Sequence, residues 1–484
     1  MSGKPRLRVS RGRVSRRAIG LVLLAAVVMA SPPHHAHAAA AAASATKPNI
    51  VIIMTDDQRW DTVNTRYMPN VAAGLTPNGV TLSNSFVSNP LCCPSRVTTL
   101  TGRYSYTTGV YGNHGTWGGY GASLQFGAMN DTIATDLQAD GYTTALVGKY
   151  LNGYSPRIDY LTVPPGWDRW FEINTGKYYN YWAAMDGVTK QYYGTAPGDY
   201  STTVLEQQAL SFIHRAKSGP FFLYFATTAP HGPATPDPRD VGRFDGDLAS
   251  YVRPPSEQEA DVLDKPSYIQ ARIPSATTQA SIDAFHARQL AAIYGIDRAI
   301  GAIWNALPND TVVLFMSDNG LAWGEHRWVG KMVPYNESLR VPMIIASKGV
   351  DLSSVGPVGG ESDRLALNVD IRSTLESLAN DLPRQPQTDG EAWNTSPARQ
   401  EFPIMHWSDN NKVPVYCGVR SAGWMYVRYA DGFEEAYDER ADPFELDNVF
   451  VGDPTDPQLP LLRAAASRYC TKQDGRIYPD GWPF

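Results

Sequence analysis

The sequence predicts an α/β fold built in layers, with one large domain and a smaller second domain. Short apolar runs that suit buried strands alternate with helical patterns, which is typical of α/β layers. The 484 residues exceed an ordinary single domain, and 43% hydrophobic residues suit packed cores rather than disorder. The chain has four cysteines, too few for a scaffold that depends on disulfides.

Apolar patterning predicts the main elements. A long helix is expected from about residue 279 to 307, because Ile293, Ile296 and Ile300 belong to an apolar row that recurs every three or four positions. Residues 230–274 are rich in Pro and Asp and predict an irregular excursion over the sheet edge. Five apolar runs predict buried strands, at residues 49–54, 143–147, 221–226, 311–316 and 342–346.

The amino terminus predicts a secretory signal peptide at residues 1–38. A basic stretch precedes an apolar run at residues 18–30, and a small-x-small cleavage pattern ends at Ala38. The run is short for a bilayer crossing, although an uncleaved anchor is the alternative. Arg16 and Arg17 leave both general and twin-arginine export open. We expect a secreted or cell-envelope/periplasmic protein after cleavage near Ala38, without stable membrane insertion.

The charge of the chain is unevenly distributed. The formal net charge is −6, but residues 1–38 hold seven of the 42 Lys and Arg residues and none of the 48 Asp and Glu residues. The remainder therefore carries a net charge of −13. Because phosphate contacts depend on clustered basic residues, nucleic acid and anionic membranes are poor candidates as partners.

Polar residues follow four of the predicted strands directly. In open α/β sheets, functional sites lie outside the carboxyl ends of the strands. Taken singly, these residues suit helix caps, turns or solvated charges. Together, three carboxylates and an amide oxygen suit a hard cation, Ca²⁺ or Mg²⁺. The residues are Asp56 and Asp57 after the first strand, Lys149 after the second, His231 after the third, and Asp318 and Asn319 after the fourth.

The most specific motif is CCPSR at residues 92–96, followed by LTGR at residues 100–103. The pair resembles the signature of type I sulfatases, in which the first residue of Cys-x-Pro-Ser-Arg is oxidised after translation. The resemblance implies that Cys92 becomes 3-oxoalanine (Cα-formylglycine), through a formylglycine-generating enzyme or its equivalent. A buried cysteine pair at a turn is the alternative without catalysis.

The resemblance extends beyond this motif, from about residue 47 to 347, and is weaker to residue 484. It implies an alkaline-phosphatase-like sandwich, with a large central mixed sheet flanked by helices, in a catalytic domain at residues 47–395. It also implies a C-terminal α+β subdomain at residues 396–484, with a small antiparallel sheet and a helix. The segment DPFEL at residues 442–446 carries this last likeness.

Family roles transfer onto matching positions of this chain. The resemblance implies that Ca²⁺, with Mg²⁺ as the alternative, is bound by Asp56, Asp57, Cys92, Asp318 and Asn319. It implies that the catalytic residues around the sulfate are Cys92, Arg96, Lys149, His231 and Lys331. Lys149, His231 and Lys331 would also bind substrate, and Asn152 and His326 are further candidates because they are near other site elements in the sequence.

The resemblance also implies a mechanism. One hydroxyl of the formylglycine hydrate attacks sulfur to form a covalent sulfo-enzyme intermediate, with His231 as general acid for the leaving oxygen. The second hydroxyl then expels sulfate. Many sulfatases carry a His where this chain has Leu151, so the base for that second step stays unassigned, with Asn152, His114 and His326 as candidates.

The closest likeness is to N-acetylglucosamine-6-sulfatases and heparan endosulfatases, through the doubled cysteine, GKYLN at residues 148–152 and VPPGW at residues 163–167. The implied substrate is 6-O-sulfated N-acetylglucosamine in glycans. The chain has no long basic tract, which favours chain ends or small sulfated sugars. The alternatives are an arylsulfatase of broad specificity, a phosphonate monoester or phosphodiester hydrolase of the alkaline phosphatase superfamily, and a non-catalytic carbohydrate-binding protein.

The remaining cysteines suggest a bridge in the small domain. A Cys417–Cys470 disulfide would join strand-like residues 413–419 to helix-like residues 460–469. Two free thiols are the alternative. Cys93 is expected to stay a buried thiol.

Overall fold

The chain from residue 47 builds a mixed central sheet and a smaller C-terminal sheet. The computed structural model describes residues 47–484 except 175, 217–218, 248–250, 380–387 and 408–411. The predicted signal peptide and its cleavage near Ala38 lie outside the described residues. The strands are β1 Asn49–Thr55, β2 Gly79–Phe86, β3 Thr143–Gly148, β4 Arg169–Ile173, β5 Tyr181–Met185, β6 Thr189–Tyr193, β7 Phe221–Ala226, β8 Thr311–Ser317, β9 Ala322–Trp323, β10 Val329–Gly330, β11 Met343–Lys348, β12 Gly360–Leu367, β13 Glu401–His406, β14 Tyr416–Ser421, β15 Trp424–Tyr429 and β16 Glu434–Asp438.

The central sheet has ten strands in the order β12-β2-β11-β8-β1-β7-β3-β4-β5-β6. Strands β8, β1, β7, β3 and β4 run parallel, whereas β11, β5 and β6 pair antiparallel to their neighbours. The parallel strands end in register, because Thr55 pairs with Ser317 and Gly148 pairs with Ala226. The carboxyl ends of β8, β1, β7 and β3 therefore lie side by side at one edge.

Helices cover both faces of this sheet. Alternate β1 residues face two different cores, with Ile52 in one and Ile53 in the other, so both faces are buried. Ile133, in the helix at residues 133–139, packs in the first core. Val204, in the helix at residues 201–215, and Ile296, in the helix at residues 276–306, pack in the second. The helices are α1 Pro69–Gly74, α2 Cys92–Thr101, α3 Ser105–Thr108, α4 Gly119–Gln125, α5 Ile133–Ala139, α6 Ser201–Arg215, α7 Ser267–Gln270, α8 Ala276–Ala306, α9 Asn336–Leu339, α10 Ile371–Leu378, α11 Val449–Gly452 and α12 Gln458–Cys470.

The predicted elements are confirmed with small shifts at their ends. The five predicted strands are β1, β3, β7, β8 and β11, and the predicted long helix is α8. The described part of residues 230–274 is mostly turns and irregular backbone, with the short α7. Among the described residues, no helix combines the length and the apolar character that crossing a membrane would require.

The C-terminal part contains an antiparallel sheet in the order β13-β14-β15-β16 and the helix α12. A disulfide joins Cys417 of β14 to Cys470 at the end of α12, which confirms the predicted pairing. Cys93 is a buried free thiol, as predicted. The described residues pack as one compact unit, and the division at residues 395 and 396 stays a prediction.

Removal of the disulfide by the double substitution Cys417→Ser and Cys470→Ser is expected to lower the free energy of unfolding by about 2–4 kcal/mol. The two cysteines are 53 residues apart, so the bridge closes a long loop and restricts the unfolded chain. Urea unfolding with and without a thiol reductant measures the effect. The reductant should destabilise the wild-type protein and leave the double variant unchanged. Equal midpoints for the two proteins without the reductant would contradict the prediction.

Candidate active site

The strands β8, β1, β7 and β3 end at one edge of the sheet, and the predicted site residues that follow them lie there. Asp57 follows β1 in the left-handed backbone region, with φ of 66°, and its N–H donates to Asp318 Oδ1 at 3.2 Å. Gly148 ends β3 where a Cβ would lie 1.8 Å from the carbonyl oxygen of Ala226. This close approach needs glycine, and it lets the N–H of Lys149 donate to the same carbonyl at 2.8 Å.

Three buried carboxylates converge at this edge. Asp56, Asp57 and Asp318 each offer an oxygen, and the three oxygens lie within 4.8 Å of one another. Asn319 donates from Nδ2 to Asp57 Oδ1 at 2.7 Å, while its buried Oδ1 has no hydrogen-bond partner within the described chain. Carboxylates this close repel one another unless positive charge balances them. The oxygen set therefore fits a hard divalent cation.

The cysteine of the sulfatase-like motif begins α2. The helix starts at Cys92 and ends before Gly102, which has φ of 66° and lies in the left-handed conformation that suits glycine. Pro94 is in the first turn, where it breaks no helical hydrogen bond. Residues four apart lie on one helical face, so the motif spacing places Cys92 and Arg96 together.

Arg96 connects the acidic residues to the end of β3. Its Nε lies 2.8 Å from Asp318 Oδ2, and its Nη1 donates to the carbonyl oxygen of Lys149 at 3.0 Å. Its Nη2 lies 3.8 Å from Asp56 Oδ2. The guanidinium is fully buried, so these ionic contacts are shielded from water.

Two lysines complete the charge balance. Lys149 Nζ lies 2.6 Å from Asp56 Oδ2. Lys331 Nζ lies 2.5 Å from Asp57 Oδ1 and 2.7 Å from the Sγ of Cys92. The Sγ is also 3.6 Å from Asp56 Oδ1. Position 92 is therefore surrounded by two carboxylates and two ammonium groups.

These charges and the burial shift the protonation of the site. Burial opposes the ionisation of Asp56, but Lys149 and His231 outweigh it and lower the pKa to about 2. Burial raises the pKa of the Cys92 thiol to about 11, although Lys149 and Lys331 act in the opposite direction. As an unmodified side chain, Cys92 is thus a thiol at neutral pH and a weak nucleophile.

His231 lies at the open side of the cluster. Its Nε2 is 3.7 Å from Asp57 Oδ2, and its Nδ1 is 2.7 Å from the carbonyl oxygen of Gly232. The hydroxyl of Tyr178 donates to the carbonyl oxygen of His231 at 2.6 Å and fixes this turn. With 29% of its side chain exposed, His231 is the most accessible of the predicted catalytic residues. It can therefore meet a group that enters from solvent.

Two candidates do not meet this cluster. His326 is directed to Glu259, with Nδ1 2.8 Å from Oε2, and its ring packs on Tyr335. Asn152 is buried beside the site, where its carbonyl oxygen accepts from the N–H of Tyr120 and its Oδ1 has no partner among the described residues. Their proposed roles in substrate binding stay predictions without a supporting contact.

The sequence did not predict one contact beside the site. Asn113 accepts from the N–H of Cys93 at 2.9 Å through Oδ1 and so holds the first turn of α2. The Asn-His-Gly sequence at residues 113–115 indicates a turn, but it carries no sign of this distant contact.

Comparisons with known proteins agree with this geometry. A sequence model of the Sulfatase family matches residues 48–381. The fold and the match define a sulfuric ester hydrolase. The chain belongs to the sulfatase family.

Relatives within the family differ in their described activities. The chain is 29% identical to an arylsulfatase of Volvox carteri, over 90% of this chain and 77% of that protein. It is 28% identical to the N-acetylglucosamine-6-sulfatase of Homo sapiens, over 71% of this chain and 63% of that protein. A solved structure in complex with its substrate D-glucosamine-2-N,6-O-disulfate has a TM-score of 0.72 at 21% identity, over 87% of this chain and 97% of the other. This last likeness confirms the predicted alkaline-phosphatase-like α/β fold, with a mixed central sheet and a separate antiparallel one.

Proposed function

We propose that this sulfatase removes 6-O-sulfate groups from N-acetylglucosamine units at glycan chain ends or in small sugars. The observation that supports sulfate ester chemistry is the meeting of position 92 with Lys331, Asp56 and His231. The similarity to the human N-acetylglucosamine-6-sulfatase supports the choice of sugar. The similarity to the Volvox arylsulfatase, over more of this chain, supports a second candidate, an arylsulfatase of broad specificity.

The residues around position 92 suit an anionic ester. Lys149, Lys331 and Arg96 provide positive charge in a buried site, where preorganised charges stabilise a charged transition state strongly. His231, partly exposed and oriented through Gly232, would hold the proton that the leaving sugar oxygen needs. Asp57, 3.7 Å from His231 Nε2, would stabilise the protonated ring.

The residues present fit the metal ion and the modified cysteine that the family implies. Asp56, Asp57, Asp318 and the unpartnered Oδ1 of Asn319 would hold Ca²⁺ or Mg²⁺, which supplies charge neutralisation beside position 92. Cys92, as 3-oxoalanine, would supply as its hydrate one hydroxyl to attack sulfur and a second to release sulfate. We propose a formylglycine-generating enzyme, or its equivalent, as the maturation partner.

We propose that the protein is secreted or resides in the cell envelope or periplasm. The basic and apolar pattern of residues 1–38 and the Cys417–Cys470 disulfide support an oxidising compartment outside the cytoplasm.

A substrate panel tests the proposed function. We expect kcat/KM to be highest for 6-O-sulfated N-acetylglucosamine, lower for an aryl sulfate and lowest for a phosphonate monoester. A higher value for the aryl sulfate would favour the arylsulfatase candidate. A higher value for the phosphonate would overturn the proposal. Activity on internal units of intact heparan chains would overturn the preference for chain ends.

Replacement of Lys331 with Ala is expected to lower kcat/KM by about 10²–10³-fold, because its ammonium lies next to the reacting position. The free energy of unfolding should also fall, because Lys331 is only 12% exposed and its loss leaves the buried Asp57 without this counter-charge. Steady-state kinetics and urea unfolding measure the two effects. Lys190→Ala, on the edge strand β6, is the matched control and should keep full activity. Equal kinetics for the two variants would remove Lys331 from the site.

A further inference from the structure

A second cluster of possible metal ligands lies outside the site described above. His326, Glu337 and Glu445 each direct one ligand atom into the same buried space, and these atoms lie within 4.8 Å of one another. His326 follows β9, Glu337 is in α9, and Glu445 follows β16. His326 and Glu337 come from neighbouring parts of the chain and Glu445 from a distant part, so the three meet only in the fold.

The ligand atoms of this cluster are unusual because they are buried without partners. Within the described chain, His326 Nε2, Glu337 Oε2 and Glu445 Oε1 have no hydrogen bond, and both His326 and Glu445 are 1% exposed. Buried polar atoms are nearly always paired, since an unmet one costs about 1–3 kcal/mol. Unpaired buried atoms on all three residues of one close cluster indicate a shared ligand.

Outer contacts orient two of these side chains. His326 Nδ1 is 2.8 Å from Glu259 Oε2, which leaves Nε2 directed toward the cluster. Metal-bound histidines commonly use their second nitrogen in this way. Glu445 accepts from the N–H of Asn336 at 2.9 Å through Oε2, and its Oε1 makes no hydrogen bond within the described chain. Two of the three side chains are therefore held in position by neighbouring residues.

The charges nearby leave room for a cation. Lys265 is 3.6 Å from Glu259 and donates to the carbonyl oxygen of Glu445, and Arg420 pairs with Glu439 while lying 3.7 Å from Glu445 Oε1. Arg59, which pairs with Glu325, also acts on Glu337, so these three cations are outnumbered by the carboxylates of Glu259, Glu325, Glu337, Glu439 and Glu445.

We propose that His326, Glu337 and Glu445 form a second metal site that takes a zinc ion. One imidazole nitrogen and two carboxylate oxygens suit zinc or a similar transition metal better than calcium or magnesium, which prefer oxygen ligands alone. Ligand atoms around a tetrahedral zinc ion lie roughly 3.3 Å apart. That spacing falls within the 4.8 Å that contains the ligand atoms of this cluster.

The proposed zinc would act on the catalytic site through the chain. Lys331 lies between His326 and Glu337 in sequence, so a metal bound to both would fix the two ends of its segment. Glu445 would tie this segment to the C-terminal part. The zinc site is therefore structural and independent of which sulfated substrate the enzyme takes.

Metal content and zinc binding test the proposal. Full-length protein is stripped with a chelator, equilibrated with Zn²⁺ or Ca²⁺ alone, and measured by elemental mass spectrometry and by titration. We expect about one zinc per chain, and a zinc affinity at least about 100-fold weaker in His326→Gln and Glu445→Gln. Glu259→Gln should weaken zinc binding by about 10–100-fold. Asp318→Asn should lose calcium and keep zinc.

Two outcomes would overturn the proposal. The first is wild-type protein that binds no zinc under these conditions. The second is zinc binding of equal stoichiometry and affinity in wild type and in the two glutamine variants. Because Gln is close in size to His and Glu, the variants should fold, and circular dichroism checks each of them. If one variant fails to fold, the other and Glu259→Gln still decide the question.

Discussion

Replacement of Cys92 with Ser is expected to lower sulfatase kcat/KM by at least about 10⁴-fold, comparable to the loss of a nucleophile in other hydrolases. The substitution removes the thiol on which the oxidation would act, and an unmodified serine hydroxyl cannot form the aldehyde hydrate. The serine would still sit 1% exposed between Lys331 and Asp56, so binding of the substrate should be kept. Single-turnover kinetics should show at most one desulfated sugar released per chain, because the sulfo group transferred to the serine has no second hydroxyl to expel it.

Cys93→Ala is the matched control for this variant. Cys93 is an equally buried thiol whose side chain packs in the core behind α2. Its loss should cost about 1 kcal/mol of stability and leave turnover intact. Mass spectrometry of the tryptic peptide covering residues 67–96 reports the state of position 92 directly. Full steady-state activity in Cys92→Ser, or an unmodified Cys92 in active protein from the native host, would contradict a mechanism that uses oxidised Cys92.

Replacement of Arg96 with Met is expected to lower the free energy of unfolding by about 3–5 kcal/mol and to abolish activity. The guanidinium is fully buried and lies 2.8 Å from Asp318 Oδ2. Its removal leaves Asp318 buried beside Asp56 and Asp57 without that counter-charge. Broken buried ion pairs are strongly destabilising because one charge stays uncompensated.

Arg66→Met provides the surface comparison. Arg66 also pairs with an aspartate, Asp247, but 63% of its side chain is exposed, and exposed pairs contribute about 0–1 kcal/mol. Urea unfolding of both variants measures the difference. Arg96→Lys should recover part of the stability but not the two-sided contact with Asp318 and the Lys149 carbonyl. Equal stability of the Arg96 and Arg66 variants would contradict this account.

The central part of the fold was predictable from the sequence because its strands are buried on both faces. Such strands appear as continuous apolar runs, and the polar residues after them, Asp56 and Asp318 among them, necessarily meet at the carboxyl edge. The outer strands were not predicted. β2 includes half-buried Ser83 and Asn84, and β6 is mostly exposed, so neither shows a clear apolar run.

The contacts within the site were predictable only where spacing along the chain determines them. Cys92 and Arg96 lie on one helical turn, so their closeness follows from the motif. His326 is near Lys331 in sequence, yet its side chain pairs with Glu259, 67 residues away. The direction of a side chain on an irregular loop depends on such distant partners, and sequence proximity does not reveal it.

The complete burial of α2 has a consequence for the order of events in biosynthesis. Every residue from Cys92 to Thr101 is buried in the folded chain, and Cys92 is also surrounded by Lys331 and Asp56. A modifying enzyme must bind several residues around its target, and in the folded protein this segment is not accessible to it. The proposed oxidation of Cys92 would therefore have to precede folding, and chains that fold before they meet the modifying enzyme would stay inactive. The yield of active enzyme should then depend on the timing of synthesis rather than on stability.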